Sequence, residues 1–303
     1  MNKVFVLTVF LFVLIWSIKA QTNFALLVAV DSYPESSGWT DIHASNDIDL
    51  LLPLLKKHQF PNKNIIVLKN EDATRLAIDK AFLDLYNRVG EGDFVYIHFS
   101  CHGQQMLDDN GDEPDGLDES IIPYDAKRRF QLGRYEGENH LRDDDLQTYL
   151  EKIRKKLSQS GDVFVVIDAC HSGTATRESD NDDYVRGTSY VFAPEGYENP
   201  DAKTNYTYIP SHKTDGKRAD ITVVSACQPD EINYEYKSSK RKYYGRLTYT
   251  FCNLLKELPE RLTIGDLSDR LNTRMSLLST GRKVKQTPYF ETTNNEKEFK
   301  FGK

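Results

Sequence analysis

Hydrophobic residues in this sequence fall into short unbroken runs, separated by longer segments in which they recur with a helical period. The unbroken runs predict strands buried on both faces of a sheet, at residues 24–30, 64–68, 93–100, 161–167 and 221–226, with a last strand at 286–291. The periodic segments predict helices at residues 47–60, 73–89, 143–157, 247–258 and 264–278. These strand–helix units predict an α/β fold with a doubly wound parallel sheet, whose ligands bind outside the carboxyl ends of the strands.

Two long polar insertions, residues 104–142 and 172–220, interrupt this pattern. A length of 303 residues would suit two average domains. The strands on either side of each insertion need one another to form one sheet, so we expect a single domain over residues 21–303. Long insertions in a compact domain are usually functional loops. Within the helix at 73–89, the pattern predicts that Leu76, Ala77, Phe82 and Leu85 face the core.

The first 20 residues form a separate unit. A basic start is followed by an apolar run at residues 4–18, and Ala20 supplies a small residue for cleavage. Because the run is shorter than the ~20 residues that span a bilayer, it predicts a secretory signal peptide rather than an uncleaved anchor. We therefore expect an exported, secreted or periplasmic protein with no stable membrane span once the signal is removed.

Composition narrows the function further. The net charge is −7 and the sequence pI is about 5.6, with no basic stripe that could neutralise phosphates. Nucleic acid is therefore not expected as a partner. Four cysteines are too few for a disulfide scaffold, although two disulfides stay open in an exported chain.

Candidate catalytic residues lie at the ends of two predicted strands. These ends read Ser100-Cys101-His102-Gly103 and Asp168-Ala169-Cys170-His171. If these strands are neighbours, His102 and Cys170 face each other across the carboxyl edge of the sheet. A thiol needs a nearby base because the thiolate is the nucleophile. The backbone N–H groups of Gly103 and Cys170 are placed to bind a developing oxyanion. This pattern indicates a cysteine hydrolase.

Two other interpretations use the same residues. Single Cys and His side chains at strand ends are more often structural than catalytic. A tetrahedral zinc site would need four ligands from the set His98, Cys101, His102, Cys170 and His171. Adjacent strand residues point to opposite faces, so neighbouring Cys and His make poor joint ligands.

The segments His-Phe-Ser-Cys-His-Gly (98–103) and Asp-Ala-Cys-His-Ser-Gly (168–173) resemble the His and Cys motifs of the metacaspase branch of caspase-like cysteine peptidases. The resemblance also takes in residues 109–119, 122–123, 143–145, 225–228 and 245–248, and so covers nearly all of the chain after residue 23. Cys101 stands where the family usually has Gly. The resemblance implies a three-layer αβα sandwich with a mostly parallel six-stranded sheet.

The resemblance also implies that Cys170 attacks the scissile carbonyl and that His102 handles the proton. It implies cleavage after Arg or Lys at P1, the residue that contributes the carbonyl of the cut bond. Asp47, Ser100 and Asp168 would form the S1 pocket for that side chain, and their carboxylates suit a guanidinium or ammonium ion. Without the resemblance, Asp47 is more simply a charge at a helix start.

Residues 108–119 hold seven carboxylates in twelve positions, a density that repels itself unless cations offset it. Calcium prefers such oxygen ligands, but a solvated acidic loop explains the composition equally well. The resemblance favours an activating Ca²⁺ site built from Asp118, Asp143, Asp144 and Glu178. Asp143 could instead cap the helix that follows it.

The expected partners are protein or peptide substrates with a basic P1 residue, acted on by a monomer without an organic cofactor. Candidate self-processing sites are the basic residues of the second insertion and the basic segment 237–242, although scattered basic residues are also ordinary at a surface. Those of the insertion are Arg177, Arg186, Lys203, Lys213, Lys217 and Arg218. The alternatives are a caspase-fold peptidase with another P1 preference and a peptidase-inactive binding module.

Overall fold

The computed structural model describes residues 21–111, 113–170, 184–197, 208–209, 217–257, 261–278 and 285–302. The predicted signal peptide, residues 1–20, lies outside these ranges. No helix within them is long and apolar enough to cross a membrane.

Six strands form the central sheet: β1 (Asn23–Ala29), β2 (Ile65–Lys69), β3 (Phe94–Ser100), β7 (Asp162–Asp168), β8 (Asp220–Ser225) and β11 (Tyr289–Thr292). Their order across the sheet is β11-β8-β7-β3-β1-β2. All neighbours pair in parallel except β11, which is antiparallel to β8. The predicted six-stranded, mostly parallel sheet is confirmed, and each strand begins within three residues of its predicted start.

Five helices cover the two faces of this sheet. They are α1 (Ser45–Lys57), α2 (Arg75–Arg88), α3 (Asp143–Leu157), α4 (Arg246–Glu257) and α5 (Ile264–Leu278). Helices α2 and α3 bury their apolar residues in one hydrophobic core, and α1, α4 and α5 bury theirs in a second core on the opposite face. The predicted three-layer αβα arrangement is therefore confirmed.

Two short sheets lie beside the central one. The first insertion contributes β4 (Gly103–Leu107), β5 (Leu117–Ile121) and β6 (Leu141–Arg142), which pair as an antiparallel sheet. A second, two-stranded sheet consists of β9 (Glu235–Lys237) and β10 (Tyr243–Gly245). The first insertion is thus folded structure rather than only a polar loop, because the side chains of β5 are buried.

One predicted core position is wrong. Leu76 is 60% exposed, whereas Ile78, Phe82 and Leu85 form the buried side of α2. The helix begins after the Thr74 cap, whose side chain accepts a hydrogen bond from the backbone N–H of Ala77. The inward face of α2 therefore starts at Ile78.

Candidate active site

The carboxyl ends of β3 and β7 bring the two predicted catalytic motifs together. Ser100, the last residue of β3, pairs with Asp168, the last residue of β7. His102 and Cys170 each follow two residues later, and both are buried. The expectation that these two strands are neighbours is confirmed.

The imidazole of His102 is oriented by one hydrogen bond and by aromatic packing. Its Nε2 lies 2.8 Å from the carbonyl oxygen of Thr40, which can only accept, so Nε2 carries the ring hydrogen. The ring stacks on Trp39, with 4.8 Å between centroids, and Tyr33 lies 5.3 Å away. Nδ1 is buried and has no hydrogen-bond partner among the described residues. Burial lowers the pKa of His102 to about 4, which leaves the ring neutral and Nδ1 able to accept a proton.

The thiol of Cys170 donates to the carbonyl oxygen of Glu231 at 3.3 Å and lies 3.6 Å from the sulfur of Cys227. No hydrogen bond joins it to His102 Nδ1 in this state. None of the four cysteines forms a disulfide. The thiol beside Cys170 is therefore Cys227, and not Cys101, which packs in the core under α2 and α3. Burial raises the pKa of Cys101 to about 12, so Cys101 is an unreactive thiol.

The three residues predicted to line the S1 pocket converge on one side chain of the protein itself, Arg186. Its Nη1 lies 2.7 Å from Asp47 Oδ2, 3.2 Å from Ser100 Oγ and 3.6 Å from Asp168 Oδ1. All four residues are fully buried. Asp47, Ser100 and Asp168 therefore lie together in a buried acidic cluster, which is filled by an arginine from the second insertion.

A fourth residue, Glu235, holds the other side of the same guanidinium. Its Oε1 accepts from Arg186 Nε at 3.1 Å and from Nη2 at 3.0 Å. Burial by itself would lower the pKa of Arg186, but Asp47, Asp168 and Glu235 outweigh it and raise that pKa. Burial raises the pKa of Asp47 to about 6, although Arg186 opposes this shift. The pocket is therefore a cluster of charges that strongly affect one another, and Arg186 is the only cation among the contacts given for these residues.

The segment Gly245-Arg246-Leu247-Thr248 fixes the two aspartates of the pocket. Gly245 N donates to Asp47 Oδ1 at 3.0 Å, and Thr248 donates to Asp168 Oδ2 from its backbone N at 2.9 Å and from Oγ1 at 2.6 Å. A Cβ at position 245 would collide with Asp168 Oδ2, so only glycine fits there. This segment positions the carboxylates that face Arg186.

The backbone around Arg186 lies against the protein like an added antiparallel strand. Glu235 N donates to the carbonyl oxygen of Tyr184 at 2.9 Å, and Arg186 N donates to that of Asn233 at 3.0 Å. Cys170 N donates to the carbonyl oxygen of Arg186 at 2.8 Å. A Cβ at Gly187 would collide with the Cys170 backbone. The peptide bond between Arg186 and Gly187 thus lies against Cys170. Its carbonyl oxygen, that of Arg186, accepts from the backbone N–H of Cys170, which is one of the two N–H groups predicted to bind the oxyanion. Gly103, the other residue predicted for that role, begins β4.

A family model described as Caspase domain matches residues 22–300. The chain belongs to the caspase family. It is 34% identical to Metacaspase-2 of Arabidopsis thaliana over 127 residues, which cover 40% of this chain and 28% of the relative. It is 30% identical to Metacaspase-3 of the same plant over 223 residues, 71% of this chain and 54% of the relative. It is 27% identical to Metacaspase-1 of Plasmodium falciparum over 244 residues, 77% of this chain and 34% of the relative.

The predicted resemblance to metacaspases is confirmed, and the chain spans about a quarter to a half of the length of these curated relatives. The crystal structure of protein GSU0716 from Geobacter sulfurreducens is similar with a TM-score of 0.60 and 22% identity, covering 89% of this chain and 93% of that one. At this identity the likeness shows the caspase fold alone.

Three of the four residues predicted to bind calcium share one acidic region in this caspase-family chain. Asp118 lies with Asp108 and Asp109, whose carboxylate oxygens come within 4.8 Å of one another. Asp118 Oδ1 and both oxygens of Asp143 are buried without a hydrogen-bond partner in the described ranges. Asp144 accepts from Asn110 at 2.5 Å. Glu178 lies outside the described residues.

Electrostatics in this acidic region favour an added cation. Burial, reinforced by Asp118 and Asp144, raises the pKa of Asp143 to about 8. Burial also raises the pKa of Asp118 to about 6, although Arg142 forms an ion pair with it. The donors present are carboxylate oxygens, several of them unpartnered, so the residues fit the ligand preference of Ca²⁺.

The zinc alternative has no support where its residues are described. His98 is hydrogen-bonded to Tyr96 Oη at 2.7 Å and lies 3.2 Å from Ser100 Oγ and from Thr248 Oγ1. In the part of the chain that the structure describes, no three of the proposed zinc ligands lie close enough together to bind one ion. Burial lowers the pKa of His98 to about 3, and the ring forms part of the polar layer behind the pocket.

Sequence reasoning missed the roles of Glu235, Cys227 and Trp39. Glu235 lies in a three-residue strand far along the chain from Asp47 and Asp168, so no local spacing links it to them. Cys227 sits in the noted Ser-Ala-Cys-Gln segment just after β8, the strand next to β7. Strand order, had it been used, would have placed Cys227 near Cys170.

Proposed function

We propose that this chain is a cysteine endopeptidase that cuts after Arg or Lys, with Cys170 as nucleophile and His102 as base. The observation that carries the proposal is the position of Arg186. Its side chain fills the acidic pocket, its carbonyl oxygen accepts from Cys170 N, and its segment pairs with residues 233–235 as a bound peptide would. An arginine held in this way is an internal stand-in for the P1 residue of a substrate.

The chemistry follows from these groups. The thiol leaves the carbonyl of Glu231 and passes its proton to His102 Nδ1, and the sulfur attacks the substrate carbonyl carbon. The backbone N–H groups of Cys170 and Gly103 stabilise the resulting oxyanion. As the C–N bond breaks, the leaving amine takes the proton from His102. Water then attacks the thioester, His102 takes a proton from it, and this proton returns to sulfur as the acid product leaves.

The pocket selects a basic P1 side chain on electrostatic grounds. Asp47, Asp168 and Glu235 surround the site and are shielded from solvent. An Asp at P1 would bring a further carboxylate into this cluster without a compensating cation, which is strongly unfavourable. Cleavage after Asp is therefore not expected.

The same geometry makes Arg186–Gly187 the bond at which the protein processes itself. In the uncut chain this segment fills the cleft, so external peptides are excluded. Cleavage would create a new carboxyl terminus at Arg186 that can leave the pocket. We therefore expect low activity before this cut and higher activity after it.

Calcium is the proposed activating ion, bound by Asp118, Asp143 and Asp144, with Glu178 completing the set. Bound Ca²⁺ would supply positive charge that offsets the repulsion among these carboxylates. The support is the group of buried oxygens without partners at Asp118 and Asp143. Arg142 pairs with Oδ2 of Asp118 and of Asp109, so its positive charge would oppose binding of the ion at Asp118.

Export remains part of the proposal and rests on the pattern of residues 1–20. We propose that the enzyme acts outside the cytoplasm as a monomer on protein or peptide substrates, with no nucleic acid partner. Secretion is tested by locating the full-length chain after expression in its host and by determining its N-terminal residue.

The test is hydrolysis of matched fluorogenic peptides, Tyr-Val-Arg, Tyr-Val-Lys and Tyr-Val-Asp, by residues 21–303 after incubation with calcium and reductant. We expect cleavage after Arg and Lys, none after Asp, and none by Cys170→Ala. Release after Asp would contradict the pocket assignment. No cleavage of any peptide would favour the binding-module alternative over a peptidase.

A further inference from the structure

We propose that Glu235 is the residue that makes the S1 pocket prefer arginine over lysine. This inference rests on the proposed function, because it treats Arg186 as the stand-in for a substrate P1 side chain. Glu235 would be a specificity residue that touches the substrate without taking part in the bond-breaking steps.

The pocket divides the guanidinium into two sides. Asp47, Ser100 and Asp168 face one nitrogen, Nη1, at 2.7, 3.2 and 3.6 Å. Glu235 Oε1 faces the other side, where it accepts from both Nε and Nη2. The two groups of acceptors therefore contact different nitrogen atoms of the same guanidinium.

A lysine side chain can satisfy only one of these two sides. It has a methylene where arginine has Nε, and a single terminal nitrogen whose three hydrogens radiate from one point. That nitrogen can reach the cluster of Asp47, Ser100 and Asp168. The two donors that Glu235 receives from arginine have no equivalent, so lysine would leave a buried carboxylate poorly compensated.

Glu235 is held in place for this role. His43 donates its backbone N–H to Oε1 at 2.8 Å, and its Nδ1 lies 2.6 Å from Oε2. Within the small sheet, Glu235 pairs with Gly245, the residue that donates to Asp47. Burial alone would raise the pKa of Glu235, but Arg186 and His43 outweigh it and lower that pKa, so the carboxylate stays ionised. A fixed, charged acceptor is what discrimination between the two cations requires.

The first test compares kcat/KM for Tyr-Val-Arg and Tyr-Val-Lys peptides, using residues 21–303 after calcium treatment. In Glu235→Gln we expect the ratio of kcat/KM for the Arg peptide to kcat/KM for the Lys peptide to fall by about tenfold or more, and this ratio does not depend on how much of the chain has cut itself. Asp47→Asn is the matched control, because Asp47 faces the nitrogen that either cation can supply, and it should lower both values alike. Equal losses for both peptides in Glu235→Gln, or no loss, would overturn the inference.

A second test does not depend on catalysis. In the Cys170→Ala chain, Arg186→Lys should lower Tm, and the same substitution should cost clearly less when Glu235→Gln is already present. In an Asp47→Asn background the Arg186→Lys cost should persist. An Arg186→Lys cost that is independent of Glu235 would overturn the inference even if the chain proves not to be a peptidase.

Glu235→Asp serves both tests if Glu235→Gln does not fold, since it keeps the charge and withdraws it from Nε and Nη2. Cleavage of neither peptide by the parent chain would contradict the proposed function alone. The Tm comparison still decides the role of Glu235 in that case.

Discussion

Two acidic regions of this molecule solve the same electrostatic problem in opposite ways. In the pocket, Asp47, Asp168 and Glu235 all form ion pairs with the protein's own Arg186. In the acidic region around Asp143, both oxygens of that carboxylate lack a hydrogen-bond partner within the described part of the chain, and its pKa rises to about 8. We propose that a substrate side chain replaces the internal cation of the first region and that the second region receives a cation from solution.

The largest expected effect comes from removing the internal cation. In the Cys170→Ala chain, which cannot cut itself, Arg186→Met should lower the free energy of unfolding by about 3–5 kcal/mol, because it leaves buried carboxylates uncompensated. Arg274→Met is the control, since Arg274 forms an exposed pair with Glu257 and should cost less than about 1 kcal/mol. Urea denaturation measures both. Similar costs for the two variants would break the contrast between the regions.

A smaller effect on stability is expected at the acidic region around Asp143, where the cause is the absence of an internal cation. The pKa of Asp143 is raised in the folded state, so the stability linked to its proton is fully present below pH 4 and is lost as the pH rises through about 8. With chelator present, the free energy of unfolding should therefore fall between pH 5 and pH 8 by about 1–3 kcal/mol, and calcium should restore it most at pH 8.

Asp143→Asn should flatten that pH dependence and reduce the stabilisation by calcium, as measured by Tm in calcium and in chelator. Asp84→Asn, which removes an exposed ion pair with Arg88 on α2, supplies the control and should change neither. Calcium stabilisation that is equal at pH 5 and pH 8 would contradict the link between the carboxylates and the ion.

The smallest effect concerns Arg142, which pairs with Asp118 and Asp109 in the acidic region. Arg142→Gln removes a positive charge that would oppose binding of the ion at Asp118, so the calcium concentration for half-maximal stabilisation should fall by about three- to tenfold. Calorimetric titration with Ca²⁺ measures this shift. A higher half-maximal concentration would mean that Arg142 organises the region instead of opposing the ion.

The sequence predicts the sheet and the places where its strands end, because long apolar runs and periodic helices carry that information locally. The two motifs are predicted at the ends of strands that could be neighbours, and the pairing of Ser100 with Asp168 confirms that β3 and β7 are neighbours. Glu235 could not be predicted in this way, since it reaches the pocket from a distant three-residue strand.

The sequence also could not predict that the pocket is occupied by Arg186. Arg186 was one of several basic residues in a polar insertion, and nothing local sets it apart from Arg177. Only the fold brings its guanidinium to Asp47 and its carbonyl to Cys170. The prediction for Leu76 is wrong because its apolar character suggested burial, whereas the buried side of α2 runs through Ile78, Phe82 and Leu85.

The most direct test of the central claim is to map self-cleavage. Residues 21–303 would be incubated with calcium and reductant, and the new termini identified by mass spectrometry, beside Cys170→Ala and Arg186→Gln. We expect a fragment that begins at Gly187 in the parent chain and in neither variant. An intact parent chain, or a first cut elsewhere that leaves Arg186–Gly187 whole, would contradict the claim that Arg186 occupies the cleft as a substrate.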